Sequence, residues 1–204
     1  MNNYKTLIIL DWDDTLFPTS WTIQNNIDMT NKFTYVRYMP LFEKLDTLLF
    51  NLLTKLQKHG TVAIVTNAAT KWIKISSVVL PKTQRIIASS PIQVISAREI
   101  LQDKYPNNMH MWKKIIFDKL VIDYFAEHGY QHIISVGDAE YEFLALVDLY
   151  NEHSVSNKRL LKTVRFMSSP SFESLVDQLN VLHQSADKIL TSKKHMDLKF
   201  KDFQ

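Results

Sequence analysis

Acidic and hydroxyl side chains that could do chemistry stand directly after apolar runs of this 204-residue chain, and a lysine lies between two of these groups. Short continuous apolar runs are typical of strands buried on both faces of a parallel sheet. The carboxyl ends of such strands meet at one edge of the sheet, where binding sites form. We therefore expect a single site made by Asp11, Asp13, Thr66, Asn67, Lys113, Asp138 and Glu142.

The donor atoms available at this edge are oxygens. The chain contains no cysteine, and none of its seven histidines has the spacing of a metal-ligand pair. Several carboxylates in one place are costly unless a cation balances their charge. An oxygen site with few carboxylates suits Mg²⁺, which keeps some of its water and binds substrate phosphate oxygens. We therefore expect Mg²⁺ as the cofactor and a phosphorylated compound as the substrate.

Two of the acids are spaced for phosphoryl transfer in two steps. A carboxylate held by Mg²⁺ and a lysine can attack a phosphorus atom and form an aspartyl phosphate. A second carboxylate two residues away can protonate the leaving oxygen and afterwards activate water. Asp11 and Asp13 have this spacing.

The sequence resembles the haloacid dehalogenase superfamily of phosphotransferases over about residues 5–145. The resemblance rests on four motifs in the order of that family, which are Asp-x-Asp-x-Thr at 11–15, Thr66, Lys113 and Gly-Asp-x-x-x-acid at 137–142. It implies that Asp11 is the nucleophile. It also implies that Asp13 is the general acid and base, and that the backbone carbonyl of Asp13 binds Mg²⁺.

The same resemblance implies roles for the remaining site residues. Thr66, with Asn67 beside it, would bind the phosphoryl oxygens. Lys113 would balance their negative charge. Asp138 would be the second Mg²⁺ carboxylate, and Glu142 would support it directly or through water.

Two positions next to these motifs have alternative interpretations. Lys114 is an alternative to Lys113, which is favoured because it stands with Trp112 at the start of a predicted helix. Asp14 occupies a variable position of the family motif, and we expect it to be a surface or helix-capping residue.

The expected activity is that of a Mg²⁺-dependent phosphatase. The stretch DWDDTLFP resembles the magnesium-dependent protein phosphatases of the superfamily. About 55 residues separate Asp11 from Thr66 and about 47 separate Thr66 from Lys113, which is too few for a separate cap domain. An uncapped site would admit a phosphorylated protein, and the resemblance favours phosphotyrosine. Aromatic residues of a flap at about 18–40 could stack on the phenyl ring; they are Trp21, Phe33, Tyr35 and Tyr38.

Other functions stay open or are disfavoured by single features. A phosphatase of small phosphorylated metabolites and an inactive scaffold of the same superfamily are the remaining alternatives. A dehalogenase is disfavoured because that branch lacks the carboxylate that Asp13 supplies. A phosphoacceptor receiver domain is disfavoured because its lysine follows the last strand and its chain is shorter.

The elements that must position these residues alternate along the chain. Strands are expected at 5–10, 61–66, 85–89, 132–136 and 163–167, and helices at 41–58, 68–80, 109–128 (ended by Gly129) and 172–190. Gly60 fits a helix stop. This alternation predicts an α/β fold with a doubly wound, Rossmann-like parallel sheet of about five strands. One domain over 1–190 and a solvated basic tail over 191–204 are expected, and the tail could lead to a further module.

Composition limits the partners and the compartment. A net charge of +3 is too small to indicate nucleic-acid binding, and three glycines do not allow a glycine-rich phosphate loop. No apolar run approaches the about 18 residues of a membrane span, so membrane contact is expected only if a module follows the tail. A monomer in the cytoplasm is expected, with secretion into a host cytosol as an effector as the alternative.

Overall fold

The computed structural model describes residues 6–128, 131–152 and 159–200, with the side chains of all but 123–128 and 152. Its centre is one sheet of six strands in the order β3-β2-β1-β4-β5-β6, in which every neighbouring pair is parallel. The strands are β1 (Thr6–Leu10), β2 (Thr61–Thr66), β3 (Gln93–Ser96), β4 (His132–Gly137), β5 (Leu160–Arg165) and β6 (Met196–Lys199). The parallel α/β fold is confirmed, with six strands instead of about five.

Helices cover both faces of the sheet. They are α1 (Thr19–Gln24), α2 (Lys32–Tyr35), α3 (Met39–Gln57), α4 (Thr70–Ser76), α5 (Pro81–Ser89), α6 (Ala97–Leu101), α7 (Met109–His128), α8 (Glu140–Glu152) and α9 (Phe172–Thr191). Ile8 and Leu10 of β1 pack in one core with α3, α5 and α9. Leu7 and Ile9 pack in a second core with α7 and α8. Successive side chains of a strand point to opposite faces, so the continuous apolar run of β1 serves both cores.

The expected third strand at 85–89 is wrong, because these residues belong to α5. Pro81 begins this helix, where a proline costs no hydrogen bond. The buried carboxylate of Asp46 in α3 then accepts the backbone N–H groups of Lys82 at 2.9 Å and Thr83 at 2.8 Å. This cap comes from a distant helix, so the local pattern does not reveal it. The third strand follows at 93–96.

The tail is also different from the expectation of a solvated end. Met196 to Lys199 form β6, which pairs with β5. Met196 and Leu198 are half-buried while Asp197 and Lys199 are exposed, which is the alternation of a half-covered strand. The fifth strand spans 160–165 instead of 163–167. Gly129 and residues 201–204 lie outside the described residues.

The segment at about 18–40 is helical where an ordered loop was expected. It contains α1, α2 and a 3-10 turn over Val36–Tyr38. The ring of Trp21 packs against Tyr38 at 5.2 Å and against Phe172 of α9 at 5.1 Å. The expected helix at 68–80 is divided into α4 and a 3-10 turn over Ser77–Val79. Among the described residues, no helix is long and apolar enough to cross a membrane.

Gly60 lies just past the end of α3, as expected, and it also has a packing role. A Cβ atom at this position would lie 2.2 Å from the backbone oxygen of Thr6, so only glycine lets the two chain segments approach. This contact sets the start of β2 beside the start of β1.

Candidate active site

A tight turn after β1 positions the first two acids. The N–H of Asp11 donates to the carbonyl of Val136 at 2.9 Å and extends the β1–β4 ladder by one residue. The carbonyl of Trp12 then accepts the N–H of Phe17 at 2.9 Å, and Asp14 adopts the left-handed conformation with a φ of 51°. Aspartate tolerates this conformation better than most residues. The turn therefore returns the chain over the carboxyl edge of the sheet immediately after Asp13.

Lys113 is the centre of a buried ion cluster. Its Nζ lies 2.6 Å from Oδ1 of Asp11 and 2.8 Å from Oε1 of Glu142. It also donates to the carbonyl of Val65 at 2.5 Å. The helix α7 supplies the lysine, α8 supplies the glutamate and β1 leads into the aspartate. The expected lysine position is therefore next to Asp11, whereas Nζ of Lys114 lies 3.7 Å from Asp148.

Glu142 has unused hydrogen-bonding capacity. Its side chain is buried, and its contact with Lys113 is short but not aligned as a hydrogen bond. Oε1 is therefore paired with the Lys113 ammonium by charge, and Oε2 has no partner in the part of the chain that the structure describes. A Cβ atom on Gly137 would lie 2.5 Å from Cγ of Glu142, so the glycine makes room for this carboxylate.

The cluster holds more negative than positive charge. Burial raises the pKa of Asp11 well above its ordinary value, against the opposing effect of Lys113, and Glu142 raises it further. Burial alone would lower the pKa of Lys113, but the carboxylates of Asp11 and Glu142 outweigh it and raise the value. Burial, followed by Glu142 and Asp14, raises the pKa of Asp138 to about 7. One ammonium group thus serves several acids, and a bound cation would relieve their repulsion.

Asp13 is held by two donors that the sequence did not indicate. The hydroxyl of Thr19 and the indole N–H of Trp72, the latter at 2.7 Å, both donate to Oδ1. The hydroxyl of Thr66 reaches Oδ2 at only 3.5 Å. Oδ1 is therefore occupied, and Oδ2 is the oxygen better placed to carry a proton. No sequence pattern pointed to these partners, since a loop was expected around Thr19 and Trp72 is 59 residues away from Asp13.

Thr66 and Asn67 lie at the end of β2 but differ in their contacts. The buried hydroxyl of Thr66 accepts the N–H of Ala68 at 2.9 Å, which leaves its proton to donate toward Asp13. The amide of Asn67 donates to the carbonyl of Met109 at 3.5 Å, at the beginning of α7. The structure thus brings Thr66 to Asp13 and turns the Asn67 amide toward α7.

The loop after β4 places Asp138 at the same edge of the sheet. The hydroxyl of Ser168, from the loop after β5, donates to the carbonyl of Asp138 at 2.8 Å. The Asp14 carboxylate accepts the N–H and the hydroxyl of Ser20, the former at 2.8 Å. Asp14 is thus buried and accepts the N–H of Ser20 in the first turn of α1, so the expected surface position is wrong and the capping interaction is present.

The donor set was compared with the needs of Mg²⁺. In the described part of the chain, no three histidine, aspartate or glutamate side chains are grouped to hold a metal by themselves. The expected site needs only the carboxylates of Asp11 and Asp138 and the backbone carbonyl of Asp13, since Mg²⁺ takes further oxygens from water and phosphate. Oxygen donors, surplus negative charge and the unpartnered Oε2 of Glu142 fit a hard divalent cation.

Comparisons with known proteins do not assign this chain to a family. No protein-family model matches this chain, and no curated protein and no solved structure is significantly similar to it.

Proposed function

We propose that this protein is a Mg²⁺-dependent phosphatase that acts through an aspartyl phosphate. The observation that carries the proposal is the buried contact of Lys113 with Asp11, next to a second carboxylate that is held by Thr19 and Trp72. The first arrangement suits a nucleophile beside a charge-balancing lysine, and the second suits a positioned acid and base.

In the first step Asp11 would attack the substrate phosphorus. Lys113 contacts Oδ1 of Asp11, which makes Oδ2 the attacking oxygen. A bond forms between this oxygen and phosphorus, and the bond between phosphorus and the leaving oxygen breaks. Asp13 would donate a proton from its Oδ2 to the leaving oxygen, since its Oδ1 is occupied by two donors.

In the second step water would attack the aspartyl phosphate. Asp13, now ionised, would take a proton from this water while the water oxygen forms a bond to phosphorus. The bond between phosphorus and the Asp11 oxygen would break, which releases inorganic phosphate and returns Asp11 to a free carboxylate. Thr66 would donate to the phosphoryl oxygens. Asp11, Asp138 and the carbonyl of Asp13 would hold Mg²⁺, which would neutralise phosphate charge when bound.

A phosphorylated protein is the proposed substrate class, with phosphotyrosine favoured. The connection from Asp11 to Thr66 consists of α1, α2, a 3-10 turn, α3 and β2, and the connection from Thr66 to α7 contains α4, α5, β3 and α6. The long helix α3 and the strands of these connections pack into the cores of the sheet. Because these segments form the sheet and the helices that cover it, and not a separate cap, they support an open site.

The proposal is tested by hydrolysis of p-nitrophenyl phosphate with Mg²⁺ and with EDTA. Asp11→Asn should reduce phosphate release to background, and Asp13→Asn should reduce it about 10²–10⁴-fold. Asp103→Asn, at an exposed position, is the matched control. Beryllium fluoride with Mg²⁺ should be trapped on Asp11. Wild-type protein that releases no phosphate from any donor, or Asp11→Asn that keeps its turnover, would reject the proposal.

A further inference from the structure

A cavity of about 640 Å³ opens beside Asp138. It lies past the ends of β4, β5 and β6, and residues 138–140, 165–168 and 199–200 form its walls. Its volume is within the range of about 300–1,000 Å³ that is usual for small-molecule sites. Because Asp138 belongs to both this cavity and the candidate active site, the cavity adjoins that site.

One wall of the cavity is apolar and largely aromatic. It is formed by Phe166, Met167 and Phe200. The rings of Phe166 and Phe200 are 5.3 Å apart and nearly perpendicular. Phe166 is buried, and the half-buried Phe200 packs against the same core. A fixed pair of rings offers flat apolar surface to a further ring, and aromatic groups gain from such edge and face contacts.

The charged groups of the cavity oppose one another. Asp138 and Glu140 are acidic, while Arg165 and Lys199 are basic. Arg165 is paired with Oδ2 of Asp197 at 3.0 Å. No charge of one sign dominates, so the cavity favours an uncharged group over a second phosphate.

Arg165 also offers a directed hydrogen bond. Its Nε is buried and has no hydrogen-bond partner among the residues that the structure describes. Its guanidinium lies 4.1 Å above the ring of Phe143, which together with Asp197 fixes its orientation. The side chain is 24% exposed, so the terminal N–H groups of the guanidinium, and not the buried Nε, are the donors that a ligand carbonyl can reach.

The aromatic residues of the 18–40 segment are less suitable partners for a substrate ring. Trp21 packs between Tyr38 and Phe172 against the core, so its ring is already in contact with other side chains. Phe33 is 89% exposed and stands on the short helix α2. The cavity beside Asp138, by contrast, combines apolar rings with contact to a site residue.

We propose that this cavity binds the leaving group of the substrate, and that it takes an uncharged aromatic ring carried by a backbone with carbonyl acceptors. This inference rests on the proposed phosphatase function. A phosphotyrosine residue within a peptide has both features. Phe166, Met167 and Phe200 would contact the ring, and Arg165 would donate to a peptide carbonyl.

The test compares two phosphoryl donors in the presence of Mg²⁺. A phosphotyrosine peptide carries the aromatic leaving group, whereas acetyl phosphate has almost no leaving group to bind. Phe200→Ala should lower the ratio of kcat/KM for the peptide to that for acetyl phosphate about two- to tenfold. Phe50→Ala, an exposed phenylalanine on α3, and Phe33→Ala should keep the wild-type ratio.

The possible outcomes separate this inference from the proposed function. An equal loss on both donors in Phe200→Ala would show a structural effect and overturn the inference. An unchanged ratio, or a ratio lowered only by Phe33→Ala, would overturn it as well. Wild-type protein that hydrolyses neither donor would reject the phosphatase function, and the leaving-group site with it.

Discussion

Two buried lysines lie in opposite surroundings. Lys113 is 1% exposed and Lys162 is 0% exposed. Lys113 contacts the carboxylates of Asp11 and Glu142, and they raise its pKa. Lys162 donates instead to the carbonyl of Ile189 at 2.6 Å, and burial lowers its pKa to about 8.

The two lysines also lie near opposite ends of the sheet. Lys113 donates to the carbonyl of Val65, near the end of β2, where the candidate site is formed. Lys162 lies 3.1 Å from Nδ1 of His132, which begins β4, and also donates to the carbonyl of Leu190 in the last turn of α9. Helix carboxyl ends carry partial negative charge, which is weaker than that of a carboxylate. A buried lysine therefore balances carboxylates at one end of the sheet, and another buried lysine caps the carboxyl end of α9 at the other end.

Among the changes that test the comparison of the two lysines, the largest effect is expected from Lys113→Met, because the substitution removes the charge that balances Asp11. We expect phosphatase activity to fall about 10²–10³-fold, as for loss of a preorganised charge-stabilising donor. The rate of p-nitrophenyl phosphate hydrolysis measures this loss. Lys114→Met, which removes a lysine 3.7 Å from Asp148, should keep activity within about twofold, since this half-buried pair does not contact Asp11.

The loss in Lys113→Met must be separated from a loss of folding. Removing one partner of a buried ion pair can destabilise a protein by about 3–5 kcal/mol. Circular dichroism establishes whether the variant is folded, and Lys113→Arg, which keeps the charge, should retain more activity than Lys113→Met. Equal activities of folded Lys113→Met and wild type would remove Lys113 from the site.

A second effect concerns the pH dependence of stability. The pKa of Lys162 is about 8 in the folded protein and near its ordinary value of 10.5 in the unfolded chain. Between these values the unfolded chain binds more protons, so the free energy of unfolding contributed by Lys162 rises with pH, by at most about 3 kcal/mol. Urea unfolding of wild type and Lys162→Met at pH 7.5 and pH 10 measures the difference. The advantage of wild type over the variant should grow with pH, and a constant difference would contradict the lowered pKa.

Other titrating groups act in a different range of pH. The pKa of His132 is lowered by burial and then by Lys162, so its contribution to stability also rises with pH, but below 6.5. The pKa of Asp138 is raised to about 7, and its contribution falls as pH rises from 3.8 to about 7. The comparison above pH 7.5 therefore reports mainly on Lys162.

At neutral pH, Lys162→Met should be less stable than wild type by about 1–3 kcal/mol. Methionine keeps the apolar stem but leaves the carbonyls of Ile189 and Leu190 without the ammonium donor. Thermal or urea unfolding at pH 7 measures the effect, and phosphatase activity should stay near the wild-type value. Lys188→Met, at an exposed position of α9, is the control. A variant as stable as wild type would show that burial of the ammonium cancels its hydrogen bonds.

Much of the candidate site could be predicted because parallel strands share a carboxyl edge. Asp11, Thr66 and Asp138 each end a strand or follow it directly, so their neighbourhood follows from strand assignment alone. The choice of Lys113 over Lys114 depended on which face of α7 is turned to the sheet. That choice could be made from helix position, and the structure places Lys113 against Asp11.

Features created by distant contacts could not be predicted. The cap of α5 comes from Asp46, which is 36 residues before Lys82. The donors of Asp13 come from α1 and α4, and neither Thr19 nor Trp72 belongs to a recognisable pattern. The strand β6 was missed because its charged residues suggested a solvated tail. An edge strand often carries such charged residues, because they prevent it from pairing with the edge of another sheet. Local sequence cannot show which neighbour will satisfy a backbone group or cover a face.

The smallest effect is expected from Glu142→Gln, which makes the surroundings of Lys113 less acidic and closer to those of Lys162. Glutamine keeps the size and an oxygen beside Lys113, so we expect a loss of activity of less than about tenfold, or about 1.4 kcal/mol.

Glu142 also raises the pKa of Asp11 and of Asp138, so its removal should lower both values and shift the acid limb of the pH–rate profile to lower pH. Glu43→Gln, at an exposed position of α3, is the matched control and should leave the profile in place. The profile of kcat/KM between pH 5 and pH 8, with saturating Mg²⁺, distinguishes this electrostatic effect from a packing effect. A uniform loss of activity without a shift of the profile would mean that Glu142 fills the space beside Gly137 and does not control the charge at Asp11.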